Sequence, residues 1–102
     1  MLVVQEVTMK IELNAILHQP IRTRIMAYLV AQGAADYTQL KKEFDLSDGH
    51  MTTHMRELLA HDYVIAQKAF VRNKPKTTYH ITEQGKLAFA EYVKKLRDIV
   101  LG

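Results

Sequence analysis

The sequence predicts a small, mostly α-helical domain with one β-hairpin, an α+β fold. Apolar residues at helical spacing fill the first half of the 102-residue chain, and two strand-like segments follow. A second long helical pattern then closes the sequence. The composition, 48% hydrophobic and 25% charged, is typical of a globular domain, and no shift in composition indicates a linker. We therefore expect residues 1–102 to form a single domain.

The first half divides into short helices. Apolar periodicity predicts a helix over Glu12–Leu17, which ends before Pro20. Pro20 suits the first turn of a second helix, which Gly33 ends. A short extended segment at 35–37 then leads to a third helix with Thr38 as its cap and Leu40 and Phe44 on its buried side.

A fourth helix follows a turn at Asp45-Leu46 and runs to about His61, with Ser47 as its N-cap. At 100° per residue, Met51, Met55 and Leu58 share an inward face. Two short helices joined by such a turn form a helix-turn-helix, whose second helix can lie in the major groove of DNA.

The outward face of the fourth helix is small and polar at its N-terminal end, so the helix can approach the groove floor. Thr52 and Thr53 can donate hydrogen bonds to phosphates or bases, and Arg56 can bind a guanine or a phosphate through paired hydrogen bonds. The first amides of the helix also suit a phosphate. The residues predicted to contact DNA from this helix are Ser47, Gly49, His50, Thr52, Thr53, His54 and Arg56.

The hairpin is the second basic feature. Strands are predicted at 64–70 and 77–81, with a connection over 71–76. Four cations fall within nine residues and no carboxylate lies between them, which favours an anionic partner over a merely solvated, aggregation-resistant edge. The predicted DNA contacts of this wing are Lys68, Arg72, Lys74, Lys76 and Thr77. The net charge of +3 agrees with double-stranded DNA but adds little by itself.

The last helix, capped by Thr82 and spanning about 83–101, carries an apolar stripe longer than one small domain core can cover. Packing onto the first helix of the same chain is one explanation. A homodimer built by this helix and an N-terminal helix at about 9–18 is the explanation we favour. The predicted interface residues are Leu13, Ile16, Leu17, Phe89, Tyr92, Val93, Leu96, Ile99 and Val100.

Three stretches in order resemble single-domain winged helix-turn-helix transcriptional regulators of the MarR/ArsR-like group. Leu46–Leu58 is similar to the recognition-helix pattern of these proteins, and Asp62-Tyr63-Val64 to their entry into the wing. Lys74–Tyr79 followed by Ile81–Gly85 resembles the return from the wing. The resemblance covers about residues 12–100 and implies a dimeric DNA-binding regulator, which we expect to be a repressor. Asp62 stands where the group usually has glycine, which affects the local turn.

Other functions have weaker support. His50 and His54 have metal-chelating spacing, but no third ligand accompanies them, and the cysteines of ArsR-type metal sites are missing. Nothing resembles a catalytic constellation, so we expect no enzyme, no metal and no cofactor. No apolar run suggests a membrane span or a secretion signal, and we expect a cytoplasmic protein. A winged-helix module for protein contacts, or a regulator that senses a ligand between the dimer helix and the DNA-binding core, remains an alternative.

Overall fold

The computed structural model describes residues 12–102, which form four helices and a three-stranded antiparallel sheet. The second and third helices make the helix-turn-helix, and the last two strands make the wing. This confirms the predicted α+β, winged helix-turn-helix class. The elements are α1 (Pro20–Gln32), β1 (Ala34–Asp36), α2 (Tyr37–Glu43), α3 (Asp48–Ala60), β2 (Val64–Val71), β3 (Lys74–Ile81) and α4 (Glu83–Leu101).

The segment before α1 differs from the prediction. Residues 15–17 form a turn instead of the helix expected over Glu12–Leu17, and residues 9–11 of the expected N-terminal helix lie outside the described residues. The Asn14 carboxamide accepts hydrogen bonds from the amides of Ile16 and Leu17, at 2.9 and 3.1 Å. These side-chain bonds compete with helical ones. Gln19 then adopts an extended conformation and caps α1, so a helix cannot continue into Pro20.

The start of α2 also differs. The strand before it ends at Asp36, one residue earlier than predicted, and Asp36 replaces Thr38 as the cap. The Asp36 carboxylate accepts from the Gln39 amide at 2.8 Å, and the Gln39 side chain accepts from the Asp36 amide at 2.9 Å. This reciprocal arrangement is a capping box, in which each side chain satisfies an amide that would lack a helical partner.

The strands are arranged in the order β1-β3-β2, and the wing is longer than predicted. Val71 pairs with Lys74, so only Arg72 and Asn73 form the turn, both with positive φ (54° and 64°). Such a two-residue turn matches the twist of the strands. Pro75 lies opposite Phe70, next to the closing pair Val71–Lys74. In an antiparallel hairpin with a two-residue turn, the residues at this next position do not exchange hydrogen bonds with each other. β3 therefore tolerates the missing amide hydrogen of Pro75.

The core lies between the helices and the sheet. Apolar residues at spacings of three and four form one apolar face on α1 and one on α3, and these two faces pack against each other. β3 covers the side of the core that the helices leave open. Complete burial of such a side chain contributes roughly 1.5–3 kcal/mol before entropy is counted. The fully buried side chains include Leu17, Ile25, Met26, Leu29, Leu40, Met51, Met55, Leu58 and Val64.

The junction between wing and α4 is held by Thr82. Its hydroxyl donates to the Asp62 carbonyl at 2.6 Å and accepts from the Gly85 amide at 2.9 Å, which confirms Thr82 as the cap of α4. Gly85 lies so close to the Tyr63 carbonyl that a Cβ would overlap it. Among residues 12–102, no helix combines the length and the apolarity that a membrane span requires.

Candidate nucleic-acid interface

The recognition helix α3 begins as predicted. Ser47 is extended, and its hydroxyl accepts from the His50 amide at 3.1 Å. One of the first amides expected to be open to a phosphate is therefore already satisfied by the chain itself. Asp48 follows in the first turn, where a carboxylate is favoured by the positive end of the helix dipole.

The exposed side of α3 is the surface that the sequence predicts. Gly49, His50, Thr52, Thr53 and Arg56 are all exposed, as is Ser47 before the helix, whereas Met51, Met55 and Leu58 are buried. The Thr52 hydroxyl donates to the Asp48 carbonyl at 2.9 Å, so its methyl group and lone pairs remain available. The helix thus presents small polar groups at its N-terminal half and one long cation a turn further on.

His54 lies on the other side. It is only 8% exposed and faces α1, so it does not lie with the outward residues among which it was expected. The Arg22 guanidinium, which has only donors, lies with Nη1 3.2 Å from His54 Nδ1 and with Nε bonded to the Ile16 carbonyl at 2.6 Å. Nδ1 must therefore accept. Burial first, then the charges of Arg22 and His50, lower the pKa of His54.

Asp48 belongs to a contact that the sequence analysis missed. Its carboxylate accepts from the Tyr37 hydroxyl at 2.5 Å and pairs with Lys41 Nζ at 2.9 Å, so it joins the start of α2 to the start of α3. The hydrogen bond to the carboxylate raises the pKa of Tyr37 to about 12, and Lys41, followed by Tyr37, lowers the pKa of Asp48. The signal in the sequence that could have drawn attention to this contact is Asp48 itself, an acidic residue directly after the capping residue Ser47.

The predicted wing residues are distributed along the hairpin. Lys68, Arg72, Lys74 and Lys76 are exposed, and Thr77 is half-buried. Arg72 lies in the turn, and Lys74 is the first residue of β3 after the turn. Lys76 Nζ lies 3.7 Å from the Asp36 carboxylate, so part of its charge is balanced within the chain. The strongest unbalanced positive charge is therefore at the tip.

A cleft of about 550 Å³ connects the recognition helix to the sheet. Thr52 and Arg56 line it from α3, and Tyr37 and Tyr79 line it from the opposite side. Tyr79 is buried, and that burial raises its pKa. The outward face of α3 and the face of the wing that carries Tyr79 therefore lie on the same side of the molecule. Both surfaces can contact one duplex.

The predicted dimer residues separate into three groups. Leu17 and Tyr92 are buried within the chain and are core residues, and the His18 ring lies in hydrogen-bond contact with the Tyr92 hydroxyl at 2.9 Å. Val93, Ile99 and Val100 are exposed, as are two apolar residues that were not predicted, Leu87 and Leu101. The half-buried group comprises Leu13, Ile16, Phe89 and Leu96.

The expected location of an effector site holds a groove of about 570 Å³ between residues 12–16 and α4. Glu91 and Lys95 line it together with Tyr63 and Tyr92. Among the described residues 12–102, this mixed lining differs from the wide apolar cavity that would favour the ligand-sensing alternative. In the same part of the chain, His50 and His54 have no third His, Cys, Asp or Glu in a metal-binding group.

Comparisons with known proteins agree with this geometry. A solved transcriptional regulator homologue from Pyrococcus horikoshii is similar with a TM-score of 0.83 and 27% identity, over 93% of this chain and 94% of that one. An uncharacterized protein from Methanocaldococcus jannaschii is 27% identical over 84 residues, 82% of this chain and 91% of the relative. Both relatives are matched over nearly their whole length.

Two more distant structures share the fold. NadR in complex with 4-hydroxyphenylacetate has a TM-score of 0.67 at 18% identity, over 85% of this chain and 68% of that one. An ArsR family transcriptional regulator has a TM-score of 0.60 at 18% identity, over 85% of this chain and 84% of that one. Residues 21–100, which include the helix-turn-helix, the wing and most of α4, match the winged helix DNA-binding domain. The chain therefore belongs to the winged helix DNA-binding domain family.

Proposed function

We propose that this chain is a transcriptional repressor that binds specific double-stranded DNA as a homodimer. The observation that carries the proposal is the common placement of two surfaces. The outward face of α3 is polar and exposed, and the wing beside it is cationic from Lys68 to Lys76 without an acidic residue. Thr52, Thr53, Arg56 and His50 would read base edges, while Arg72 and Lys74 would contact phosphates.

A salt series tests DNA binding. The full chain would be titrated onto random-sequence duplex, and affinity measured by anisotropy. We expect log affinity to fall linearly with log salt, with a slope of roughly 0.9 for each phosphate contact. A chain that binds no duplex at low salt, or whose binding ignores salt, is not a DNA-binding protein of this kind. Selection of bound duplexes from a random pool then supplies the recognition sequence.

The dimer is supported by the spacing of residues on α4. Phe89, Val93, Leu96 and Val100 recur at intervals of four, three and four, and at 100° per residue they fall within about 60° of one another. That spacing is typical of a seam between paired helices. Its outer members are accessible, because Val93 is 43% and Val100 71% exposed.

Sedimentation velocity tests the dimer with a matched control. Val93→Asp combined with Val100→Asp should convert the dimer to a monomer, because two carboxylates would be buried in an apolar seam. Leu87 is equally exposed, at 71%, but lies on another side of α4, so Leu87→Asp should leave the dimer intact. An unmodified chain that sediments as a monomer at all concentrations contradicts the homodimer.

Dimerisation would place two recognition helices about 34 Å apart, one turn of DNA, on a pseudo-palindrome. A protein bound to a site that overlaps a promoter excludes polymerase without any further contact, which is why we propose repression. Transcription from a template that carries the selected site should fall as the protein is added. A rise would identify an activator and leave the DNA-binding proposal in place.

A further inference from the structure

The exposed aromatic ring at the wing tip has no structural task within the described chain. Phe70 is 79% exposed, although it is paired in a regular two-stranded ladder, one position from the closing pair. Among residues 12–102, the close aromatic ring pairs do not include it. An apolar ring of this size gains free energy only when a partner covers it.

The ladder register fixes which way this ring points. Phe70 lies opposite Pro75, and alternate residues of β3 share a face, so Phe70, Pro75 and Tyr79 lie on the same side of the hairpin. Tyr79 lines the cleft beside Arg56 of the recognition helix. The Phe70–Pro75 pair is four residues further along, about 13 Å beyond Tyr79 at 3.3 Å per residue.

The charges around the pair indicate what covers it. Lys68 is on the same face, Arg72 and Lys74 are at the turn, and all three are exposed. The wing residues 64–81 contain no carboxylate. An apolar patch ringed by cations is complementary to a surface that has anionic edges and a less polar interior, which is the pattern of a DNA groove between its two phosphate backbones.

We propose that Phe70, supported by Pro75, is an apolar wedge that enters the minor groove of the bound duplex and partly unstacks one base step. This inference rests on the proposed DNA-binding function and adds to it the shape of the bound DNA. Phenylalanine and proline are among the side chains that unstack base steps in this way, and the result is a kink toward the major groove. Since pyrimidine–purine steps unstack most easily, the wedge selects for them without hydrogen bonds to bases.

The experiment uses the full chain and a duplex selected from a random pool. Affinity is measured by anisotropy over a salt series, and the bend by energy transfer between dyes at the two ends of the duplex. Phe70→Ala should weaken binding about tenfold at every salt concentration. The slope against salt should not change, because no phosphate contact is lost. The bend should decrease, and the preference for TA or CA steps under the wing should disappear.

Two variants serve as controls. Phe70→Leu keeps an apolar wedge and should retain most of the bend. Ile65 is an exposed apolar residue of the same strand, 55% exposed, but on the opposite face and near the base of the wing, so Ile65→Ala should bind and bend as the unmodified chain does. Thermal unfolding should show that Phe70→Ala is as stable as the unmodified chain.

The outcomes separate this inference from the proposed function. If the unmodified chain binds no duplex, the proposed function fails and the wedge fails with it. If the chain binds, but Phe70→Ala leaves affinity and bend unchanged, only the wedge is overturned. A change of oligomeric state in Phe70→Ala, with an unchanged bend, would instead assign the ring to a contact between chains and also overturn it.

Discussion

Arg22 on α1 donates a hydrogen bond to the buried His54 on the recognition helix, across 3.2 Å between Nη1 and Nδ1. This contact requires a neutral imidazole, because a protonated ring would place two cations against each other. It ties the inner side of α3 to the first helix, while the outer side of α3 is free to meet a duplex. The stability of this attachment therefore depends on pH.

The free energy of unfolding should fall as the pH drops below about 6.5. In the unfolded chain His54 has its ordinary pKa of 6.5, whereas in the folded chain its pKa is lower. Below 6.5 the unfolded state therefore binds a proton that the folded state does not, and the loss levels off once the folded pKa is passed. Denaturant unfolding between pH 8 and 5 measures this, and His54→Leu should flatten the profile. An equally steep profile in His54→Leu would assign the pH dependence to other groups.

Gly85→Ala should destabilise the fold by about 3 kcal/mol, near the upper end of overpacking costs. The new methyl group would overlap the Tyr63 carbonyl, which is backbone and cannot move aside as a side chain could. Gly49→Ala is the matched control, because its new methyl would meet only the Ser47 hydroxyl at 3.9 Å and helix propensity favours alanine. Thermal unfolding of both variants checks this. Equal stability would mean that α4 can shift away from β2.

Asp62→Gly should stabilise the chain by about 0.5–1 kcal/mol. Asp62 is exposed and has a φ of 58°, in the left-handed region that glycine adopts without a Cβ clash. Asp62→Val should do the opposite, since a β-branched residue is strained there. Chemical denaturation of the three proteins should rank their free energies of unfolding, from highest to lowest, as Asp62→Gly, the unmodified chain and Asp62→Val. An unmodified chain more stable than Asp62→Gly would show that the Asp62 side chain has a stabilising role.

Arg72→Asn should raise stability but lower DNA affinity. Arg72 has a φ of 54° in the turn, a conformation that asparagine tolerates better by about 0.5 kcal/mol, while the change removes one cation from the tip. Lys74→Asn removes the same charge from β3, outside the positive-φ pair, so it should lower affinity without the gain in stability. Unfolding midpoints and anisotropy titrations together test this. Affinity unchanged in both variants would remove the tip from the DNA contact.

Arg56→Ala should cost about 1–3 kcal/mol of binding free energy and relax the preference at one base pair. Lys74→Ala should weaken binding to every duplex alike and reduce the salt slope by about 0.9. Binding to a panel of single-base-pair variants of the selected duplex separates the two effects. Identical behaviour of both variants on every duplex would refute the division between a reading helix and a phosphate-binding wing.

The sequence predicted the parts of the fold that depend on local patterns. Ser47 and Thr82 could be recognised as caps, and the buried face of α3 followed from the spacing of Met51, Met55 and Leu58. The start of α2 was misplaced because Thr38 and Asp36 are both good caps. Only the pairing of Asp36 with Thr78 of β3, a tertiary contact, shows where the strand ends.

The candidate site was predicted less completely, for the same physical reason. His54 was predicted among the DNA-contacting residues of the recognition helix, but it packs against Arg22, which is 32 residues away in the sequence. Leu17 and Tyr92 were predicted to lie at the dimer interface, but both side chains are buried in the core of their own chain. The two-residue turn of the wing was hidden by Pro75, which commonly interrupts strands and here occupies a position that needs no donor.

The turn at Arg72-Asn73 determines how the wing can vary among related sequences. Every residue from 64 to 81 owes its side of the hairpin to the pairing that this turn closes. A single residue inserted in β2 before Lys68 would shift this strand against β3 and move Phe70 and Lys68 to the side where Val71 now lies. Substitutions preserve the face of each side chain, and so do insertions of two residues in each strand, because side chains alternate along a strand with a period of two. The wing is therefore expected to diversify in chemistry while its length changes only in steps of four residues.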